Sequence, residues 1–167
     1  MIIVLRLGHR LKRDERISTH CGLVSRALGA KKIVYTGEKD EKMIKNLKKI
    51  SKNWGGSFAA SHIKDWKKFI KQNKKFTVVH LTMYGIPFEK EITKIKKKRN
   101  LIIIIGSEKV PREVYDLADY NIAVTNQPHS EVAALAIFLH SIGRKAKHTK
   151  AKYKIVPHPK GKNVVKN

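Results

Sequence analysis

Two short polar loops carry the groups best placed to do chemistry in this chain. One runs through Gly106, Ser107, Glu108, Lys109 and Val110 to Pro111; the other runs through Thr125, Asn126, Gln127, Pro128, His129, Ser130 and Glu131. Each follows an apolar, β-like run, residues 101–105 for the first and 120–124 for the second. In an open parallel sheet such loops line up at the carboxyl ends of the strands, where ligands bind. Gly106 permits a sharp turn out of a buried strand and close approach by a ligand. A third such loop, residues 82–85, follows the apolar run that ends at Leu81. Each loop alone would pass for a plain strand-to-helix turn, with Asn126, Ser130 and Glu131 as capping residues. Three together point to a small-molecule pocket. The chain has no GxGxxG fingerprint and no Gly-Lys-Ser/Thr phosphate loop, which argues against dinucleotide binding and nucleoside triphosphate hydrolysis.

The second chemical feature is charge. With 37 Lys and Arg against 13 Asp and Glu in 167 residues, the net charge is +24. A surface that positive suits a polyanionic partner, nucleic acid before an anionic membrane. Arg6, His9, Arg10, Lys12, Arg13, Arg16 and His20 crowd the amino-terminal segment, and Arg26 follows. Residues 144–167 hold nine basic residues and no acidic ones. Lys160 and Lys162 flank the possible turn of a hairpin there, and a disordered basic tail fits the composition equally. His80, His129 and His140 lack ligand-like spacing, so no metal is expected. A lone cysteine, Cys21, excludes a disulfide framework and reads as a small core residue. No apolar run approaches the roughly 20 residues of a membrane-spanning helix, and the first residues lack a signal peptide's charged region. A cytoplasmic protein is the expectation.

The elements that would position these groups alternate. Strands are predicted at residues 2–7, 33–35, 57–61, 76–81, 101–105 and 120–124, with helices between them. Residues 8–19 read as a charged loop ahead of a helix that stops at Gly29. Pro87 is expected to open a helix reaching to about residue 99, since a first-turn proline loses no hydrogen bond. Residues 132–142 are apolar on nearly every face, which predicts a helix buried all round or held in an oligomer interface. Such alternation defines an α/β fold with a mainly parallel sheet flanked by helices. One domain covers residues 1–143, and the basic extension covers residues 144–167.

Several longer segments carry a resemblance. They are residues 6–10, 19–23 with 26–30, 80–85, 106–115, and 118–124 with 126–136. Together they resemble the archaeal tRNA cytidine-56 2'-O-ribose methyltransferases, a family of the SPOUT superfamily of S-adenosylmethionine-dependent enzymes. The resemblance implies a deep trefoil knot in the carboxyl-terminal half of the sheet, a homodimer, and tRNA as substrate. It places the cofactor against Leu81, Gly106 to Val110, and Thr125 to Glu131. Residues 20–26 read His-Cys-Gly-Leu-Val-Ser-Arg where the superfamily has Asn-x-Gly-x-x-x-Arg, so Arg26 matches its catalytic arginine. His20, His129 and Glu131 are then the possible proton acceptors, the last two standing where the superfamily has Asn and Ser. Arg6, His9, Arg10, Arg13, Arg16, Lys160 and Lys162 would meet the RNA. The competing readings are a non-enzymatic RNA-binding module that retains the fold, or a methyltransferase acting on another RNA site.

Overall fold

Six strands, every pair of neighbours parallel, form one sheet in the order β3-β2-β1-β5-β4-β6. The computed structural model describes residues 1–106, 110–146 and 149–167. In chain order the elements are β1 (Ile2–His9), α1 (Leu11–Ala27), β2 (Lys32–Gly37), α2 (Glu41–Trp54), β3 (Ala59–His62), α3 (Trp66–Gln72) and β4 (Thr77–Pro87). They continue with a 3-10 turn (Phe88–Lys90), α4 (Ile92–Lys96), β5 (Leu101–Gly106), α5 (Arg112–Leu117), β6 (Tyr120–Ala123) and α6 (Glu131–Ile142). A separate antiparallel hairpin, β7 (Tyr153–Ile155) with β8 (Val164–Lys166), closes the chain.

The central strands are largely apolar, with Arg6, His9 and His80 as buried exceptions, because both faces of the sheet are covered, as parallel sheets require. On one face Val4, Ile33, Leu101 and Ile103 pack with Cys21 of α1, Leu47 of α2, and Leu135 and Phe138 of α6. On the other Ile3, Leu5, Ile102 and Ile104 pack with Ile70 of α3 and Val114 of α5. Each core is therefore written by alternate residues of the same strands.

Three elements differ from their sequence reading. Residues 8–19 are not a loop: α1 begins at Leu11. Its first turn has no Ser, Thr, Asp or Asn cap, and its amides are served from elsewhere. Arg10 N–H donates to Asp14 Oδ2, and Leu11 N–H donates to Glu38 Oε2, an acceptor outside the helix. The inward face of α1 is made of small residues, Ser18, Cys21, Gly22 and Ser25, all buried. A Cβ on Gly22 would lie 2.5 Å from the Leu47 side chain, so glycine sets how closely α1 approaches α2. Strand β4 does not stop at Leu81; it bulges between Leu81 and Ile86 and pairs again with β6 up to Pro87. Pro87 thus ends a strand, and the expected long helix is a 3-10 turn followed by the five residues of α4.

The basic extension is ordered as a hairpin docked on the end of α2. Lys152 N–H donates to the Asn53 carbonyl, Gly56 N–H donates to the Thr149 carbonyl, and the Trp54 and Tyr153 rings stand 5.9 Å apart. The Arg144 guanidinium caps the carbonyls of Lys98 and Arg99.

Candidate active site

The carboxyl ends of β4 and β5 open onto a cavity of about 440 Å³. Leu81, Thr82, Met83 and Tyr84 come from β4, Ile105 and Gly106 from β5, and His129, Ser130, Glu131 and Ala134 from the start of α6. Arg13 and Ile17 of α1, with Tyr115 of α5, complete the wall. The volume and the mixture of apolar walls with a few polar groups suit a small organic ligand. Gly106 leaves room at its corner for the Val110 side chain, whose Cγ2 would lie 2.0 Å from a Cβ there and would have to shift. Leu81, Gly106, Val110, His129, Ser130 and Glu131 are thus gathered at one site. Ser107, Glu108 and Lys109 lie outside the described residues.

Thr125, Gln127 and Pro128 are exposed and do not line the cavity. Asn126 acts on its wall indirectly: its side-chain amide donates to the carbonyls of Met83 (2.7 Å) and Gly85 (3.0 Å). That double bond pins the β4 bulge. Gly85 permits the bulge, since a Cβ there would lie 2.5 Å from Ile122 N.

The polar groups of the cavity have defined states. Asn121 Nδ2 donates to the Tyr115 carbonyl (2.9 Å), so its Oδ1 must face His80. His80 Nδ1 then carries the proton and donates to that oxygen (2.9 Å). This leaves Nε2 a buried lone pair with no partner among the described residues. Burial lowers the His80 pKa, opposed by the bond to Asn121, so the ring is neutral. Sequence reasoning missed His80 because it sits mid-strand among core residues; a histidine inside an apolar β run was the available signal.

Glu131 receives Arg6 Nη2 on Oε1 at 2.8 Å, while its buried Oε2 has no partner among the described residues. Burial raises the Glu131 pKa and Arg6 opposes the rise. The Arg6 side chain is itself fully buried and stands 3.8 Å from Asp14 Oδ2. Cys21 is nearby and inert, its thiol pushed up to about 12, chiefly by burial. A thiol held protonated is no nucleophile.

The structure corrects several expected places. Arg6 and His9 are not on the basic surface: both are 0% exposed. Arg6 is held by the carboxylates just named, and His9 contacts Ser18 Oγ at 2.7 Å and Asp40 Oδ2 at 3.4 Å. Arg10, Arg13, Arg16, Lys160 and Lys162 are exposed. His20 is exposed on α1 and does not line the cavity. Arg26 lies about 20 Å further along α1 than Arg13, at roughly 1.5 Å per residue. It is buried, donates to the Gly55 carbonyl at 2.6 Å, and borders a different cavity of about 170 Å³ with Gly56 and Lys145. Within one chain, Arg26 does not reach the β4–β5 cavity. Nor is α6 enclosed on every side, since Ala133, Ile137 and His140 are exposed where it packs beside α1.

An open parallel sheet with a ligand cavity built from a bulged strand and the loop before the last helix defines a known class. The fold is that of the SpoU and TrmH RNA methyltransferases. It matches the TrmH/SpoU tRNA modifying enzyme of A. aeolicus with a TM-score of 0.63 at 17% identity, over 86% of this chain and 74% of that one. It matches the SpoU methyltransferase AviRb of Streptomyces viridochromogenes, solved in complex with AdoMet, with a TM-score of 0.61 at 12% identity, over 86% of this chain and 57% of that one. Within this class, residues 54–165 match the sequence model of the family described as tRNA ribose 2'-O-methyltransferase, aTrm56. The tRNA (cytidine(56)-2'-O)-methyltransferase of Methanocaldococcus jannaschii is 51% identical over 99% of this chain and 97% of that protein. That of Thermococcus kodakarensis is 48% identical over the same shares. The chain belongs to the aTrm56 family of tRNA ribose 2'-O-methyltransferases.

Proposed function

We propose that this protein is an S-adenosylmethionine-dependent methyltransferase that modifies the ribose 2'-hydroxyl of cytidine 56, in the T-loop of tRNA. The observation that carries the reading is the β4–β5 cavity, walled by the family's own loops in a chain about half identical to its relatives along its length. The donor set fits the cofactor. His80 Nε2 is a buried acceptor with no partner among the described residues, suited to a ligand rich in N–H groups. Gly106 lines the cavity, and Gly85 lets the β4 backbone pass close to Asn121 and Ile122 of β6. When bound, S-adenosylmethionine supplies a methyl group activated on a sulfonium centre.

The protein's own task is alignment and exclusion of water, which supplies on the order of 7–11 kcal/mol in the best cases. Leu81, Ile105 and Ala134 make the cavity apolar, and Asn126 holds the β4 bulge in one conformation. Of the expected proton acceptors, Glu131 and His129 line the cavity. Glu131 is the better placed, because its free Oε2 is fixed by the bond that Oε1 makes to Arg6.

The assembly belongs to the same proposal. A homodimer would cover Ile17, Ala133 and Ile137, at the seam of α1 and α6 where the cavity opens. Such a second protomer would be the source of any Arg26 near the β4–β5 cavity. The carboxyl-terminal half would be threaded as a trefoil knot; supporting this, β6 lies at one edge of the sheet while the following α6 returns across β4 and β5 to α1. Residues 1–143 would carry the transfer, residues 144–167 RNA contact, and the protein would work in the cytoplasm. Among the described residues no helix is long and apolar enough to cross a membrane.

Unmodified tRNA incubated with the protein and methyl-labelled cofactor, then digested for nucleoside mass spectrometry, should yield 2'-O-methylcytidine. Label on a base, or on another nucleoside, would refute the assignment. Lys160→Gln with Lys162→Gln should weaken tRNA binding and flatten its salt dependence, by roughly 0.7–0.9 in log–log slope for each phosphate no longer neutralised. Cofactor affinity, measured by calorimetry, should not change.

A further inference from the structure

We propose that Arg6 is the positioning residue of the reaction: clamped between Asp14 and Glu131, it fixes one carboxylate oxygen of Glu131 and presents the other to the ribose hydroxyl. The inference rests on the reading of Glu131 as proton acceptor. It starts from an expense the fold does not need. A guanidinium has five N–H donors, and burying one is costly unless they are used. Arg6 is fully buried in β1, yet its one close ion pair is made by Nη2, to Glu131 Oε1 at 2.8 Å with Asp14 Oδ2 at 3.8 Å, and the Cys21 thiol lies beside it. Among the described residues its Nε and Nη1 have no hydrogen-bond partner, and neither has Glu131 Oε2.

A cluster that served packing alone would pair both carboxylate oxygens with the guanidinium, in the two-bond geometry that arginine favours. Here the pairing is one-sided, and the unpaired oxygen belongs to the residue that lines the cavity. Arg10 Nε, 3.6 Å from Asp14 Oδ2, shares the second carboxylate, so two arginines face two carboxylates. Position matters as much as charge. Arg6 is paired in register with Tyr35 of β2 and Ile105 of β5, in the middle of the sheet. Glu131 begins α6. The ion pair therefore ties the first turn of α6 to the most rigid part of the fold.

The chemistry balances without a further group. As the ribose oxygen bonds to the methyl carbon, the sulfur keeps the electron pair of the bond that breaks, and the hydroxyl proton passes to Glu131 Oε2. The carboxylate must be ionised for this. The groups around it are Arg6 on β1, Asp14, Arg13 and Cys21 on α1, His80 on β4, Tyr115 on α5 and His129 beside it on the chain. Burial favours the neutral acid, and Arg6 is the cation that opposes it. Loss of Arg6 should therefore move the Glu131 titration, and the acid limb of turnover, to higher pH.

The test is a carbon-13 titration of Glu131 in the folded protein without cofactor, beside the pH profile of single-turnover methyl transfer to tRNA. Arg6→Gln should raise both midpoints by about 1–3 pH units, the usual effect of a neighbouring arginine. Arg6→Lys should restore most of the shift. A Glu131 titration unmoved in folded Arg6→Gln would overturn the inference. A titration that moves while the acid limb stays fixed would overturn the acceptor reading instead, and with it the catalytic use of Arg6. Should Arg6→Gln fail to fold, Glu131→Gln decides: the acid limb disappears if the inference holds, and persists if it does not.

Discussion

Replacing Ile137 with glutamate is expected to convert the proposed homodimer into 19.1 kDa monomers and to lower turnover at least about a hundredfold. Ile137 is 46% exposed on α6, in line with Ala133 and His140 one turn to either side. Ile17, 40% exposed on the neighbouring α1, lines the cavity as well. An apolar stripe along two packed helices, beside the mouth of a ligand site, is the kind of patch that marks an interface. In a two-fold interface each substitution occurs twice, so two carboxylates would be desolvated together. The cavity would then lose its cover at the α1–α6 seam and admit water. Sedimentation equilibrium reads the mass, and labelled methyl transfer reads the rate. A dimeric, active Ile137→Glu protein would show that the stripe faces solvent.

Arg6→Met should cost about 3–5 kcal/mol of stability, because it strands two buried carboxylates without their cation. In a chain of this size that is a fall in melting temperature of roughly 6–20 °C. Adding Glu131→Leu should recover part of the loss, since the double variant removes one of the stranded charges. Calorimetric melting of the wild type, the two single variants and the double variant measures this non-additivity directly. Equal additive losses would mean that Arg6 and Glu131 are energetically independent, against a separation of 2.8 Å.

Much of this arrangement was legible in the chain. The alternation of strands and helices, the strand-end loops and the small-molecule pocket follow from apolar periodicity and from Gly106, Asn126 and Ser130 at their turns. The motif resemblance predicted the family that the comparisons establish. What could not be read was the meaning of charge. Arg6, His9, Arg10 and Arg13 lie within eight residues of one another and look alike as a basic run. Two of them are buried and two exposed, because the strand's alternation and the turn into α1 send neighbours in opposite directions. The start of α1 was hidden for a related reason: its amides are capped by Asp14 and by Glu38, a residue of another loop.

The sequence by itself determined the local matters: which runs form strands, that the surface is strongly cationic, and to which family the chain belongs. These depend on residue type and spacing within a window of a few turns. Only the tertiary structure decided which distant groups meet. Arg6 and Glu131 are 125 residues apart in the chain, as His80 and Asn121 are 41, and no periodicity encodes their contact. Burial decided their protonation as well. A glutamate and a histidine carry ordinary pKa values until the sheet and helices remove their water, and the site's chemistry lies in that difference.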